Sequence, residues 1–123
     1  MIVGVGVDDV DVPRLQAALA RTPSMRGRLF TEGERKYAET ARDPTARFAA
    51  RFAAKEAVLK AMGVGLGACR WTDIEVARDD DGAPSLVLHG RAAELAADRG
   101  VARWHLSLTH DGGRAVAFVV AES

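Results

Sequence analysis

Cysteine is nearly absent from this chain: Cys69 stands alone among 123 residues. An internal disulfide is thereby excluded, which fits a reducing compartment. An excess of charge of either sign is missing too, since 17 basic side chains face 17 acidic ones. Nothing global therefore draws the chain to nucleic acid or to an anionic membrane. No stretch approaches the roughly 18 apolar residues of a membrane span. The first apolar run stops at Asp8, too early for a secretory signal. The expected location is the cytoplasm. Repeats, linkers and low-complexity tracts are also lacking.

What is present is an ordinary globular composition, 48% hydrophobic and 28% charged. The length predicts one domain over residues 1–123. Such a chain buries roughly two thirds of its unfolded surface, enough for a core without staples. The neutral total conceals an asymmetry. Residues 12–31 carry Arg14, Arg21, Arg26 and Arg28 with no carboxylate, whereas residues 72–123 hold five basic and nine acidic side chains. Two readings stand: scatter over solvated faces, or a basic docking face for an acidic partner.

Residues 2–8 alternate, placing Val3, Val5 and Val7 on one face of a predicted strand and glycines on the other. Glycine in a strand often marks the close approach of another backbone or a ligand. Residues 12–22 predict a helix with Asp11 as N-cap and Pro13 in the first turn. Thr31 and Glu34 have capping-box spacing and open a short helix to about Thr40. Asp43-Pro44 begins the longest helix, which runs to Met62 and stops at Gly63. Ile74–Ala77 and Ser85–Leu88 read as strands around a turn ending at Gly82. A helix over Gly90–Arg99 and strands over Arg103–Thr109 and Arg114–Ala121 complete the order. The pattern indicates an α+β fold with a mainly antiparallel sheet packed with a long central helix.

That long helix does not segregate its charges as a surface helix would. With Arg51 at zero on a helical wheel, Phe48, Leu59 and Phe52 fall at about 60°, 80° and 100°. Lys55 falls at about 40°, beside this bulky stripe, while Glu56 and Lys60 fall at about 140° and 180°. The remaining arc is nearly all alanine. Little of the helix is left for water, yet it carries five charges, and buried charges need partners. Either an internal ion-pair network involving Lys55 supplies them, or a charged ligand does.

Asp8 ends the first strand, and with Glu56 it offers two carboxylates from different elements. Magnesium bound alongside phosphates takes one or two protein carboxylates. Alone, such an Asp also reads as a turn or capping residue. The glycines from Gly63 to Gly67 offer backbone N–H groups to phosphates, although Gly63 itself also reads as a plain C-cap. In Trp104–Asp111, residues His105, Ser107 and Thr109 share one strand face, opposite Leu106 and Leu108. His110 ends that strand beside a glycine turn, where its ring can reach a site or simply meet solvent.

Together these residues resemble the holo-acyl-carrier-protein synthase family of phosphopantetheinyl transferases, over essentially the whole chain. Gly4-Val-Gly-Val-Asp8 followed by Arg14, Arg28-Leu-Phe-Thr-Glu-Gly-Glu34, and Arg51-Phe-Ala-Ala-Lys-Glu-Ala57 with Lys60-Ala-Met-Gly-Val-Gly65 are similar to its motifs. Asp73–Val76, Gly82-Ala-Pro84 and Ser107-Leu-Thr-His110 resemble the remaining blocks.

The resemblance implies magnesium on Asp8 and Glu56, with Lys60 and the Gly63–Gly65 turn on the pyrophosphate of coenzyme A. It implies Arg51 and His110 on coenzyme phosphates, Thr109 beside them, and Pro84 near the adenine. Arg14 and the basic stretch through Arg21, Arg26 and Arg28 would meet an acidic acyl carrier protein. A homotrimer with intersubunit sites is implied as well. Asp9 departs from the family's usual aliphatic residue, and Thr109 from a frequent serine. The expected reaction is attack of a carrier serine on the β-phosphorus of coenzyme A, with 3′,5′-ADP leaving. Lys60 would stabilise charge, and Glu56 is preferred as base over Asp111 or His110. The alternatives are a non-enzymatic coenzyme A or nucleotide-binding module and a small metal-dependent phosphohydrolase.

Overall fold

Local signals set the element ends in this computed structural model, which describes residues 1–123. Strand β1 spans Ile2–Asp11, and helix α1 spans Val12–Arg21. Asp11 caps α1, its carboxylate accepting the Arg14 amide at 3.0 Å. Helices α2 (Met25–Leu29) and α3 (Glu32–Glu39) follow. Both halves of the capping box at α3 are made: the Thr31 hydroxyl accepts the Glu34 amide, and Glu34 accepts the Thr31 amide. Helix α4 spans Thr45–Met62 and ends on Gly63, whose φ of 69° suits a residue without Cβ. A single 3-10 turn, Trp71–Asp73, leads to β2 (Ile74–Arg78) and β3 (Pro84–Leu88). Helix α5 (Gly90–Asp98) and strands β4 (Arg103–Asp111) and β5 (Arg114–Glu122) complete the chain. Gly112 and Gly113 both have positive φ, as a two-residue hairpin turn between β4 and β5 requires.

The α+β architecture is as expected, with three differences of detail. Every strand pairing is antiparallel, but the strands form two sheets, one of order β1-β5-β4 and one of β2-β3. β1 continues past Asp8 to Asp11 because Asp9 and Asp11 find Arg114 on the paired strand, with Asp9 Oδ2 2.8 Å away. The short helix α2, not expected, seats Leu29 in the core.

Helix α4 is central, and thirteen of its eighteen residues are buried. Its bulky stripe packs against the rest of the helical layer, where the fully buried Phe30 and Phe48 rings lie 4.6 Å apart. Each such ring contributes about 1.5–3 kcal/mol by leaving water. Its alanine face lies directly on β1 and β5, against Ala115, Ala117, Val119 and Ala121. The contact is so close that a methyl group at Gly4 would collide with the Ala61 carbonyl, and one at Gly6 with the Ala57 carbonyl. The backbone approach expected at these glycines is that of α4. The other face of this sheet is bare: Val5, Val7 and Phe118 are 55%, 53% and 47% exposed, in line with Val3.

Candidate active site

Because Gly4 and Gly6 face α4, strand alternation turns the next residue of that parity, Asp8, toward the helix as well. There it lies beside Glu56, near enough for each carboxyl to act on the other. Burial pushes the Glu56 carboxyl up to about 7, and the charge of Asp8 pushes the same way. Lys60, one turn further along α4, opposes that rise. Its ammonium donates to Asp8 Oδ1 at 2.9 Å and to the Val7 carbonyl at 3.0 Å. The Asp8 hydrogen bond in turn raises the Lys60 ammonium above its ordinary value. Beyond Lys60, Gly63 is the C-cap and Gly65 lies in open space.

A second cluster occupies another side of α4. A cavity of about 290 Å³ is lined by Arg51, Pro84 and His110, together with Tyr37, Arg47 and Arg78. The three guanidinium carbons lie 4.2–4.5 Å from the centroid of the Tyr37 ring. Arg51 is buried, and its Nε finds no hydrogen-bond partner. No carboxylate lines the cavity, so its cationic character is unopposed. Asp8, Glu56 and Lys60 are not among its residues. Tyr37, Arg47 and Arg78 were not foreseen. Arg47 stands four residues before Arg51 on one helix face, a spacing visible in the sequence.

A third feature is a groove of about 600 Å³ with Arg14 and Arg28 on its rim. Its floor is apolar, formed by Leu15, Met25, Leu29, Phe52 and Trp71. The other end carries Asp9, Asp11 and Arg114. Of the four arginines grouped by sequence, Arg14 and Arg28 meet here. Arg26 turns away, pairing with Glu39 at 3.7 Å and lying over the Phe48 ring. Arg21 is exposed at the end of α1.

The remaining candidates separate. Thr109 lies on the face of β4 opposite His110, by strand alternation. Asp111 ends β4 opposite Arg114, exposed, and lines neither the cavity nor the groove. Asp9 is paired with Arg114 through both carboxylate oxygens. Lys55 takes no part in any of the three features as a ligand group. Its partner is Glu34 of α3, at 2.8 Å, and not a neighbour of Glu56. Thus an internal ion pair accounts for Lys55, while Glu56, Lys60 and Arg51 face outward clusters.

Known proteins share this fold. Residues 4–119 match the 4′-phosphopantetheinyl transferase superfamily. The chain is 55% identical to the holo-[acyl-carrier-protein] synthase of Salinispora arenicola, over 99% of each chain. Its fold matches the solved holo-[acyl-carrier-protein] synthase of Neisseria meningitidis with a TM-score of 0.90 at 33% identity, covering both chains fully. The chain belongs to the holo-[acyl-carrier-protein] synthases. A further solved member, from Bacillus anthracis in complex with CoA (3′,5′-ADP), has a TM-score of 0.82 and 38% identity, covering 100% of this chain and 98% of that one. Membership makes the chain an enzyme, a transferase with holo-[acyl-carrier-protein] synthase activity, and not a binding module without chemistry. No helix of this synthase is long and apolar enough to cross a membrane.

Proposed function

We propose that this synthase moves 4′-phosphopantetheine from coenzyme A to a serine hydroxyl of an acidic apo acyl carrier protein, in the cytoplasm. It does so as a magnesium-loaded homotrimer whose sites are completed between subunits. The observation that carries the proposal is the Asp8–Glu56 contact beside Lys60. Two carboxyls forced together, one held up at about 7, form a donor set that a divalent cation relieves. No third His, Cys, Asp or Glu gathers into a metal-binding group, which leaves positions for phosphate oxygens and water, as magnesium prefers. When bound, magnesium supplies neutralisation of charge on the pyrophosphate and the departing 3′,5′-ADP.

The protein's own residues do the rest by positioning and charge. Lys60 and the turn from Gly63 to Gly65 hold the pyrophosphate. Arg51 and His110, with Arg47 and Arg78, take the 3′-phosphate in the cationic cavity, and Pro84 borders the adenine. Glu56 accepts the serine proton, a step that one positioned base accelerates roughly 10²–10⁴-fold. Arg14 and Arg28 hold the carrier over the apolar groove.

Two features support the trimer. The carboxylate cluster and the arginine cavity lie about 140–180° apart around α4, an arrangement that suits a coenzyme molecule held by one cluster from each of two neighbouring subunits. The bare valine and phenylalanine face of the β1-β5-β4 sheet offers the apolar surface such a neighbour would cover. Thr109 stands on that same face. The test is to incubate the protein with coenzyme A, magnesium and an apo carrier and weigh the carrier. A gain equal to phosphopantetheine is expected. An unchanged carrier, or phosphopantetheine released to water, refutes the proposal.

A further inference from the structure

Lys55 is a charged group of α4 that the mechanism above does not use, although it lies at the centre of the molecule. Its side chain and that of Glu34 are both fully buried. The ammonium has three protons to donate. They go to Glu34 Oε1 at 2.8 Å, to the Trp71 carbonyl at 3.0 Å and to the Ile74 carbonyl. Glu34 is equally engaged, with Oε1 also accepting the Thr31 amide and Oε2 accepting the Val76 amide, each at 2.9 Å. Burial lowers the Lys55 ammonium from its ordinary value, and the Glu34 charge opposes that.

Desolvation offsets most of the attraction in a buried ion pair, so the pair's main contribution is to give partners to buried backbone groups around it. What the ammonium adds is direction. The two carbonyls it holds belong to the first residue of the 3-10 turn Trp71–Asp73 and to the residue after it, where the chain returns from the end of α4. Between Gly63 and that turn the segment is loosely tied. Its start is fixed by the Gly63 and Val64 amides on the Lys60 and Leu59 carbonyls, and its middle by the Ala68 amide on the Gly65 carbonyl. Its far end is held by the Arg70 amide on Asp73 Oδ2 and the His89 amide on the Asp73 carbonyl, and is joined to α4 by Lys55. Trp71, at that end, stands with its ring 5.1 Å from Phe52, three residues ahead of Lys55 on α4. Both rings form the floor of the groove with Arg14 and Arg28.

We infer that Lys55 and Glu34 are positioning residues for carrier docking: their pair tethers the Trp71 backbone and so holds the groove floor in shape. The inference rests on the reading of that groove as the carrier's dock. The test places Lys55→Met with Glu34→Leu in a Trp104→Phe background, where Trp71 is the remaining tryptophan. The paired substitution removes the tether without leaving a lone buried charge, while also freeing the Thr31 and Val76 amides that Glu34 holds, and circular dichroism checks that the protein stays folded. Trp71 emission moves to the red and is quenched more readily by acrylamide. The KM for apo carrier rises about ten-fold, while the KM for coenzyme A stays within about two-fold. Lys55→Gln with Glu34→Gln, which keeps a donor for the Trp71 carbonyl and leaves no lone buried charge, gives a smaller shift and a smaller rise, and carries the test should the apolar double variant not fold. Unchanged Trp71 emission, an unchanged carrier KM, or equal rises in both KM values would overturn the inference. Arg28→Glu tells the two readings apart. If it leaves the carrier KM unaltered, the groove is not the dock, whatever Trp71 reports.

Discussion

Substituting Gly6→Ala tests how the first strand positions the chemistry. The added methyl would overlap the Ala57 carbonyl, a backbone atom in the middle of α4 that no side-chain rotation removes. The strand must therefore lift from the helix. Overpacking of this kind costs about 1–3 kcal/mol, and a backbone collision belongs at the upper end. About 3 kcal/mol lowers the melting temperature of a domain this size by roughly 10 °C. Asp8 has the same parity as Gly6 and moves with it, away from Glu56. A misplacement of about 1 Å can cost 10²-fold in rate. The expected result is a folded but less stable enzyme, with a raised magnesium requirement and a rate about 10²-fold lower at fixed magnesium. Ala57→Gly serves as control, because it deletes a side chain and leaves the colliding carbonyl in place. It should not rescue. Near-normal melting and magnesium dependence in Gly6→Ala, or rescue by Ala57→Gly, would refute the reasoning.

Glu56→Gln should abolish magnesium-dependent transfer while the circular dichroism spectrum is kept; retained turnover removes Glu56 from the mechanism. Its pH behaviour is a separate check. The folded carboxyl, at about 7, lies above its ordinary value of 4.5, so its contribution to the metal-free protein is full below about pH 4.5 and is lost as pH rises through about 7. Melting of metal-free Glu56→Gln should lack that decline, and an identical decline in the variant contradicts the assigned shift. Arg14→Glu should raise the carrier KM about ten-fold at low salt and leave the coenzyme A KM nearly unchanged; equal effects on both contradict the division of labour. Phe118→Glu puts a charge in the bare sheet face, and light scattering should then report a smaller species with little activity. An active monomer would contradict sites shared between subunits.

Most element ends were legible because they rest on local chemistry: Asp11 and Thr31 as caps, Gly63 as a stop, and Gly112-Gly113 as a turn. Helix α2 was not, since five residues with Gly27 at their centre present no period. The wheel placed Lys55 within the bulky stripe of α4, but its partner lies 21 residues away on another helix, beyond any local pattern. Asp8 and Glu56 were legible as residue types on facing elements, and the glycines implied close approach. That the approaching group is the backbone of α4 required the fold. The arginine cavity draws on α3, α4, β2, β3 and β4. Such a gathering is written in topology and is invisible to spacing along the chain. The basic stretch was read as one face, yet α2 turns Arg26 toward Glu39, separating it from Arg14 and Arg28.

The separation of the carboxylate cluster from the arginine cavity around α4 has a genetic consequence. In the proposed homotrimer, damage to one, as in Asp8→Ala, and damage to the other, as in Arg51→Ala, would inactivate each protein alone but fall on different borders of the subunit. Where the two polypeptides assemble in a mixed ring of three, one border joins the undamaged half of each. Random co-assembly in equal amounts would then restore about a quarter of full activity, so two dead alleles would complement one another.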